Sequence, residues 1–194
     1  MRTSLRCWGG PELLILVGAC VFIFILALSA YFEPDIRWLH FFQGWMYVAT
    51  VVLSLRSNRW GYFIGISAAG FWDYMNLFVT TFFRNGLHWL GASLAEGQIQ
   101  HVDQIIAIPA WIANVFVVVG CLWAFARLPE KSPRDLARLV IAFVMTTAFF
   151  AADVAIFQPR YLPLFRRCLH PHSPLAVASA LTGDKSPLHA LTGF

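Results

Sequence analysis

Charged side chains are scarce in this chain. Lys and Arg number 14 and Asp and Glu 10 among 194 residues, about half the ~25% of an average soluble domain. The deficit argues against an independent soluble domain. Cysteines are few: Cys7, Cys20, Cys121 and Cys168. They form no Cys-x-x-Cys or zinc spacing and fix no redox compartment. There is no Asn-x-Ser/Thr acceptor. Nucleophile-elbow, P-loop, HExxH and haem-attachment motifs are all missing, so no catalytic residue, cofactor or metal site is indicated. The formal charge of +4 is accounted for by Arg and Lys flanking apolar runs. It implies lipid headgroups rather than nucleic acid.

Long apolar runs fill the chain instead. Five of them cover 13–32, 38–55, 61–83, 105–126 and 139–157. Each is close to the ~20 residues that an α-helix needs to cross ~30 Å of hydrocarbon. Backbone amides cannot stay unpaired in lipid, so the runs must be helical. The expected fold is all-α, a polytopic membrane bundle of about five helices with short loops. Residues 1–158 form the transmembrane domain, and 159–194 form a basic juxtamembrane segment followed by a disordered, Pro-punctuated tail. The first run exceeds the ~7–15 residues of a signal-peptide core, so it is expected to be a retained helix.

The distribution of Lys and Arg predicts the orientation. Arg2, Arg6, Arg56, Arg59, Arg127, Lys131, Arg134 and Arg138 fall on one side, against Arg37 and Arg84 in the opposite loops. The positive-inside rule puts the first group, and the N-terminus, in the cytoplasm. Five crossings put the C-terminus on the opposite side, although Arg160, Arg166 and Arg167 then break the rule. Trp38, Trp60, Trp89 and Trp111 lie near span ends, as an aromatic belt requires. The segment 84–103 has helical apolar spacing and is expected to lie in the membrane interface. Its His88, His101 and Asp103 match no catalytic zinc pattern.

Polar residues inside the runs are the candidate functional groups. Asp73 and Asp153 are the ionisable carboxyls there, each costing ~2.5–3.5 kcal/mol at a helix centre. Gly61, Gly65, Ala69 and Asp73 follow one another by four, and Asn76 and Thr80 continue the face. The small residues predict close helix packing along this seam. Depths counted from the outer ends of the runs at ~1.5 Å per residue are graded. They are ~15 Å for Asp73, ~13 Å for Asn114, ~10 Å for Asn76, ~8 Å for Gln43, ~6 Å for Asp153 and ~3 Å for His40. The gradient suggests a polar pocket opening outward. Inter-helix hydrogen bonding is the competing explanation for the same residues.

Three functions fit. An accessory or scaffold subunit, whose polar groups pack helices and dock a membrane-protein partner or a second copy, comes first. A transporter or channel component that binds a small solute or proton around Asp73 comes second. An enzyme acting on lipid or a quinone-like headgroup comes last.

Overall fold

A computed structural model describes residues 9–99 and 101–162. The described residues form a helical bundle and contain no strand. Its elements are α1 (Gly10–Phe32), α2 (Arg37–Leu55), α3 (Arg59–Tyr74), α4 (Phe82–Glu96), α5 (Val102–Ile105), α6 (Ala107–Ala126) and α7 (Pro133–Phe157). Four stretches are long and apolar enough to cross a membrane: Gly10–Phe32, Pro34–Leu55, Val102–Ala126 and Pro133–Phe157. The expected tail beyond Leu162, with Arg166, Arg167, Cys168, His170 and His172, lies outside the described residues.

The exterior of the bundle is apolar, and polar side chains are mixed into its apolar core. On α7 the large apolar side chains Leu136, Val140, Val144, Met145 and Ile156 are exposed, while Asp135, Thr146 and Asp153 are buried. The same holds on α2, where Trp38, Phe41 and Trp45 face outward, and Gln43, Thr50 and Ser54 face inward. Lipid is the solvent that tolerates such an exterior. This is an integral membrane protein.

Contacts along the seams give the direction of each helix. Cβ atoms built on Gly61 and Gly65 of α3 would stand 2.5 Å from Ser54 N and 2.7 Å from Thr50 Cγ2 of α2. The two helices therefore form an antiparallel hairpin. The other side of α3 meets α6: the same Gly65 Cβ would stand 2.6 Å from Cys121 Sγ, and Phe63 packs on Phe125. Ala69 is fully buried. The most extensive seam joins α1 to α6. There a Cβ on Gly18 would stand 2.6 Å from the Ala113 carbonyl, and one on Gly120 2.8 Å from Ile15. The helix α7 runs parallel to α3, since Arg59 pairs with Asp135 at one end and Phe71 stacks on Phe150 further along. Thus α1, α3 and α7 point one way, and α2 and α6 the other. The end where α1 begins is called the near end below, and the opposite one the far end.

Local chemistry sets the boundaries. Pro34 pushes Glu33 out of helical geometry and closes α1. The C-terminus of α2 is a Schellman turn: Ser57 N–H donates to the Ser54 carbonyl (2.9 Å) and Asn58 N–H to the Leu53 carbonyl (3.0 Å). Ser57 takes the left-handed conformation usually left to Gly, at φ 54°. Asn58 then caps α3 by accepting from Trp60 N–H at 3.0 Å. A capping box opens α7: Asp135 accepts from Ser132 N–H at 2.9 Å, with Pro133 at the first helical position. Pro109 lies in the first turn of α6, just past the interruption at Ile106 that separates α6 from α5.

The run 61–83 is not one helix. After Tyr74 the chain widens into a π-helical turn over Met75–Val79, and Thr81 then adopts φ 58° before α4 begins. Thr80 N–H donates to the Met75 carbonyl at 2.8 Å to close the wide turn. A β-branched residue at positive φ is a strained break. The chain from Arg59 to Val79 is about 31 Å long at α-helical rise, so α3 reaches the far end only with its π extension. Beyond the break α4 packs on α5 through Gly86 on the Gln104 carbonyl, and on the start of α6 through Phe83 on Trp111. Gln158 ties the end of α7 to the α1–α2 turn by donating to the Asp35 carbonyl at 2.7 Å.

Candidate polar site within the helix bundle

The register of the seams brings Gln43, Asp73, Asn114 and Asp153 to one level. On α7, three residues beyond the Phe71–Phe150 pair, Tyr74 stands level with Asp153. On α2, counting from the Gly65–Thr50 contact brings Gln43 level with Asp73. Asn114 and Asp73 are neighbours across the α3–α6 seam. This is a layer rather than the gradient expected from the ends of the runs. The helix of Asp73 ends at Val79 and not at Phe83, so Asp73 is about 9 Å from its far terminus and not ~15 Å.

Tyr47 was not singled out in the sequence, yet it organises the layer. It is fully buried, and its hydroxyl donates to Asn114 Oδ1 at 2.8 Å. Its ring packs on Phe22, with centroids 4.3 Å apart, and Phe22 in turn meets Trp72 edge-on. The signal was present in the spacing: Leu39, Gln43, Tyr47, Thr50 and Ser54 recur every three or four residues and form the buried face of α2. Asp73 adjoins Asn114 and lies within electrostatic reach of Tyr47. Three helices thus contribute to one polar cluster.

Few of these groups satisfy one another. Asp73 Oδ1, both Asp153 oxygens, Gln43 Oε1, Asn114 Nδ2 and both polar atoms of Asn76 are buried without a hydrogen-bond partner among the described residues. Further toward the near end, Ser67, Thr146 and Thr147 also have buried hydroxyls without partners. A native interior leaves few such groups, and each asks for an explanation. Asn76 sits inside the π-turn at 2% exposure. Wide turns of this kind occur often at functional sites.

His40 stands apart from the cluster. Its Nδ1 lies 3.2 Å from the Leu26 carbonyl. A carbonyl can only accept, so Nδ1 carries the proton and ties α2 to α1. Gly61 and Gly65 serve close approach toward the near end, away from the layer, and Ala69 is buried between; none contributes a polar group. At the far end, Glu33 stands near Asp103, Asp35 and Arg160. Burial pushes its carboxyl above the usual range, and Asp103 and Asp35 add to this while Arg160 opposes it. His101 stacks on Trp89 with centroids 3.8 Å apart. Among the described residues no three His, Cys, Asp or Glu side chains gather closely enough to hold a metal ion.

Comparison with protein-family models, curated proteins and solved structures finds no match, so the chemistry of the site has to be read from its own residues.

Proposed function

We propose that the bundle interior binds a proton or a small hydrogen-bonding solute at the Gln43–Asp73–Asn114–Asp153 layer, with Tyr47 orienting Asn114. One observation carries this reading: the Asp153 carboxyl, the amides of Gln43, Asn76 and Asn114, and one oxygen of the partly buried Asp73 lie inside the bundle at or beside one level, with most of their polar atoms unpaired. If the groups served only to pack helices for an accessory subunit, they would pair across the seams. Tyr47 and Asn114 do so, but Asp153 and Asn76 do not. Unpaired polar groups are costly in a low-dielectric interior and mark binding sites by default. The layer lies closer to the far end, where the π-turn and the Thr81 break interrupt α3, so a ligand would enter from there. The Lys and Arg excess at the near end supports a cytoplasmic near end, with the site opening to the opposite side.

Proton flux into liposomes containing the purified protein tests the reading, with pyranine inside and a potassium–valinomycin potential across the membrane. Flux should exceed that of empty liposomes and fall at least about tenfold in Asp73→Asn or Asp153→Asn, each removing one titratable group. Wild-type flux equal to that of empty liposomes, together with no protection by small polar solutes against thermal unfolding, would return the accessory-subunit reading to first place.

A further inference from the structure

A second polar feature lies at the near end, well away from the buried layer. It is an open surface groove of about 470 Å³ lined by Ser57, Asn58, Arg59, Trp60, Ser132, Arg134 and Arg138. Three guanidinium groups reach it. Asp135 binds two of them: Arg59 Nη1 donates to both its oxygens, at 2.8 and 3.0 Å, and Arg138 Nη1 donates to Oδ1 at 2.7 Å. Arg59 Nη2 donates to the Glu130 carbonyl at 2.7 Å. The carboxylate is buried while both cations are partly exposed. Its role is therefore to hold two Arg forks at the groove wall, at a cost of one negative charge. Arg134 forms no ion pair among the described residues.

The balance at the groove is three guanidinium groups against one paired carboxylate. Each guanidinium has five N–H donors in a planar fork, and those of Arg134 and Arg138 are mostly unused. Two helices also begin here, α3 capped by Asn58 and α7 capped by Ser132, so the positive ends of two dipoles point toward the same space. Trp60 supplies an amphipathic ring of the kind that settles at headgroup depth. Metal cations are repelled from such a site, and a flat carboxylate would engage only one fork. A tetrahedral anion can accept from two or three forks at once.

The geometry points to this groove as a binding site for a phosphate group, whether borne by an anionic lipid headgroup or free in solution. The phosphate bridges Arg134 and Arg138 of α7 and, by accepting from the Asn58 side-chain amide that lines the same space, clips the start of α7 to the α2–α3 turn beside the Arg59–Asp135 tether.

Thermal unfolding of the full-length protein in a zwitterionic detergent tests the site. The probes are dihexanoyl phosphatidylglycerol, dihexanoyl phosphatidylcholine and inorganic phosphate, each titrated separately. Phosphatidylglycerol should raise the melting temperature saturably, and phosphatidylcholine should not. Arg134→Ala, which breaks no contact of the fold, should weaken the apparent affinity about tenfold, in line with the loss of one charge-assisted hydrogen bond. Arg84→Ala, at the far end, should leave it unchanged. A shift with inorganic phosphate as well as phosphatidylglycerol identifies the free anion as a sufficient ligand. A shift with phosphatidylglycerol alone identifies the lipid. Equal weakening by Arg84→Ala and Arg134→Ala, or no saturable shift with either phosphate compound, would overturn the proposal in favour of diffuse surface charge. Neither result depends on proton flux through the buried layer.

Discussion

The hydroxyl of Tyr47 on α2 donates to Asn114 Oδ1 on α6 across 2.8 Å, in a part of the bundle from which both side chains have lost all solvent contact. The bond fixes which way the Asn114 amide faces. With Oδ1 engaged, Nδ2 turns away from Tyr47 and toward the Asp73 carboxyl on α3. Removing the hydroxyl should therefore affect ligand handling as well as stability.

Tyr47→Phe keeps the ring stack on Phe22 and deletes one buried hydrogen bond. The expected loss is about 1 kcal/mol by the general scale, closer to ~0.6 kcal/mol by the membrane average. Reversible unfolding in mixed micelles measures it. A loss of more than a few kcal/mol would mean that Tyr47 holds up the whole polar layer rather than one amide.

Glycine positions should divide sharply by neighbour. A side chain at Gly18 meets the Ala113 carbonyl, Phe116 and Val117, whereas one at Gly44 meets nothing within 4 Å. Gly18→Leu should force α1 and α6 apart, costing ~1–3 kcal/mol or more. Gly44→Leu should fold like the parent. Comparable melting temperatures for the two variants would refute the α1–α6 seam.

Stability should depend on pH through Glu33. Its folded pKa is raised from 4.5 by burial first, then by Asp103 and Asp35. The unfolded carboxyl ionises at the ordinary value, so unfolding releases a proton in the window between the two. The contribution to stability is fully present below the unfolded pKa and is lost as pH rises through the folded one. Glu33→Gln should flatten the stability profile above pH 4.5 relative to wild type. An unchanged slope would place the titration elsewhere.

Orientation can be read by cysteine labelling in intact cells, with the four native cysteines replaced by Ser. An impermeant maleimide added outside should modify Ala92→Cys on α4 and leave Lys131→Cys untouched. The reverse pattern would invert the topology and put the phosphate groove on the outer surface.

The class of this protein was legible in one dimension. Runs of apolar residues about 20 long dictate helices in lipid, because no other backbone arrangement pairs its amides within the segment. The caps are equally local, since Ser132–Asp135 and Asn58–Trp60 act over two or three residues, but it was the structure that identified them. The four-residue repeat of Gly61, Gly65, Ala69 and Asp73 marks one face of a helix for the same local reason.

What the sequence could not state was where that face would meet another. The break at Thr80–Thr81 depends on a wide turn closed by Met75 and on α4 folding back over α6, both set by packing beyond the local pattern. The contacts of α3 ahead of this break, Gly65 on Thr50 and Cys121 and Phe71 on Phe150, bring Asp73 level with Gln43, Asn114 and Asp153. Likewise Arg59 and Asp135 are 76 positions apart, and their pairing required α3 and α7 to run parallel. Hydropathy and spacing determined that the chain enters a membrane and which residues face inward. Tertiary register determined which of those residues share a site, because the relative heights of neighbouring helices are set by inter-helix contacts that no single helix contains.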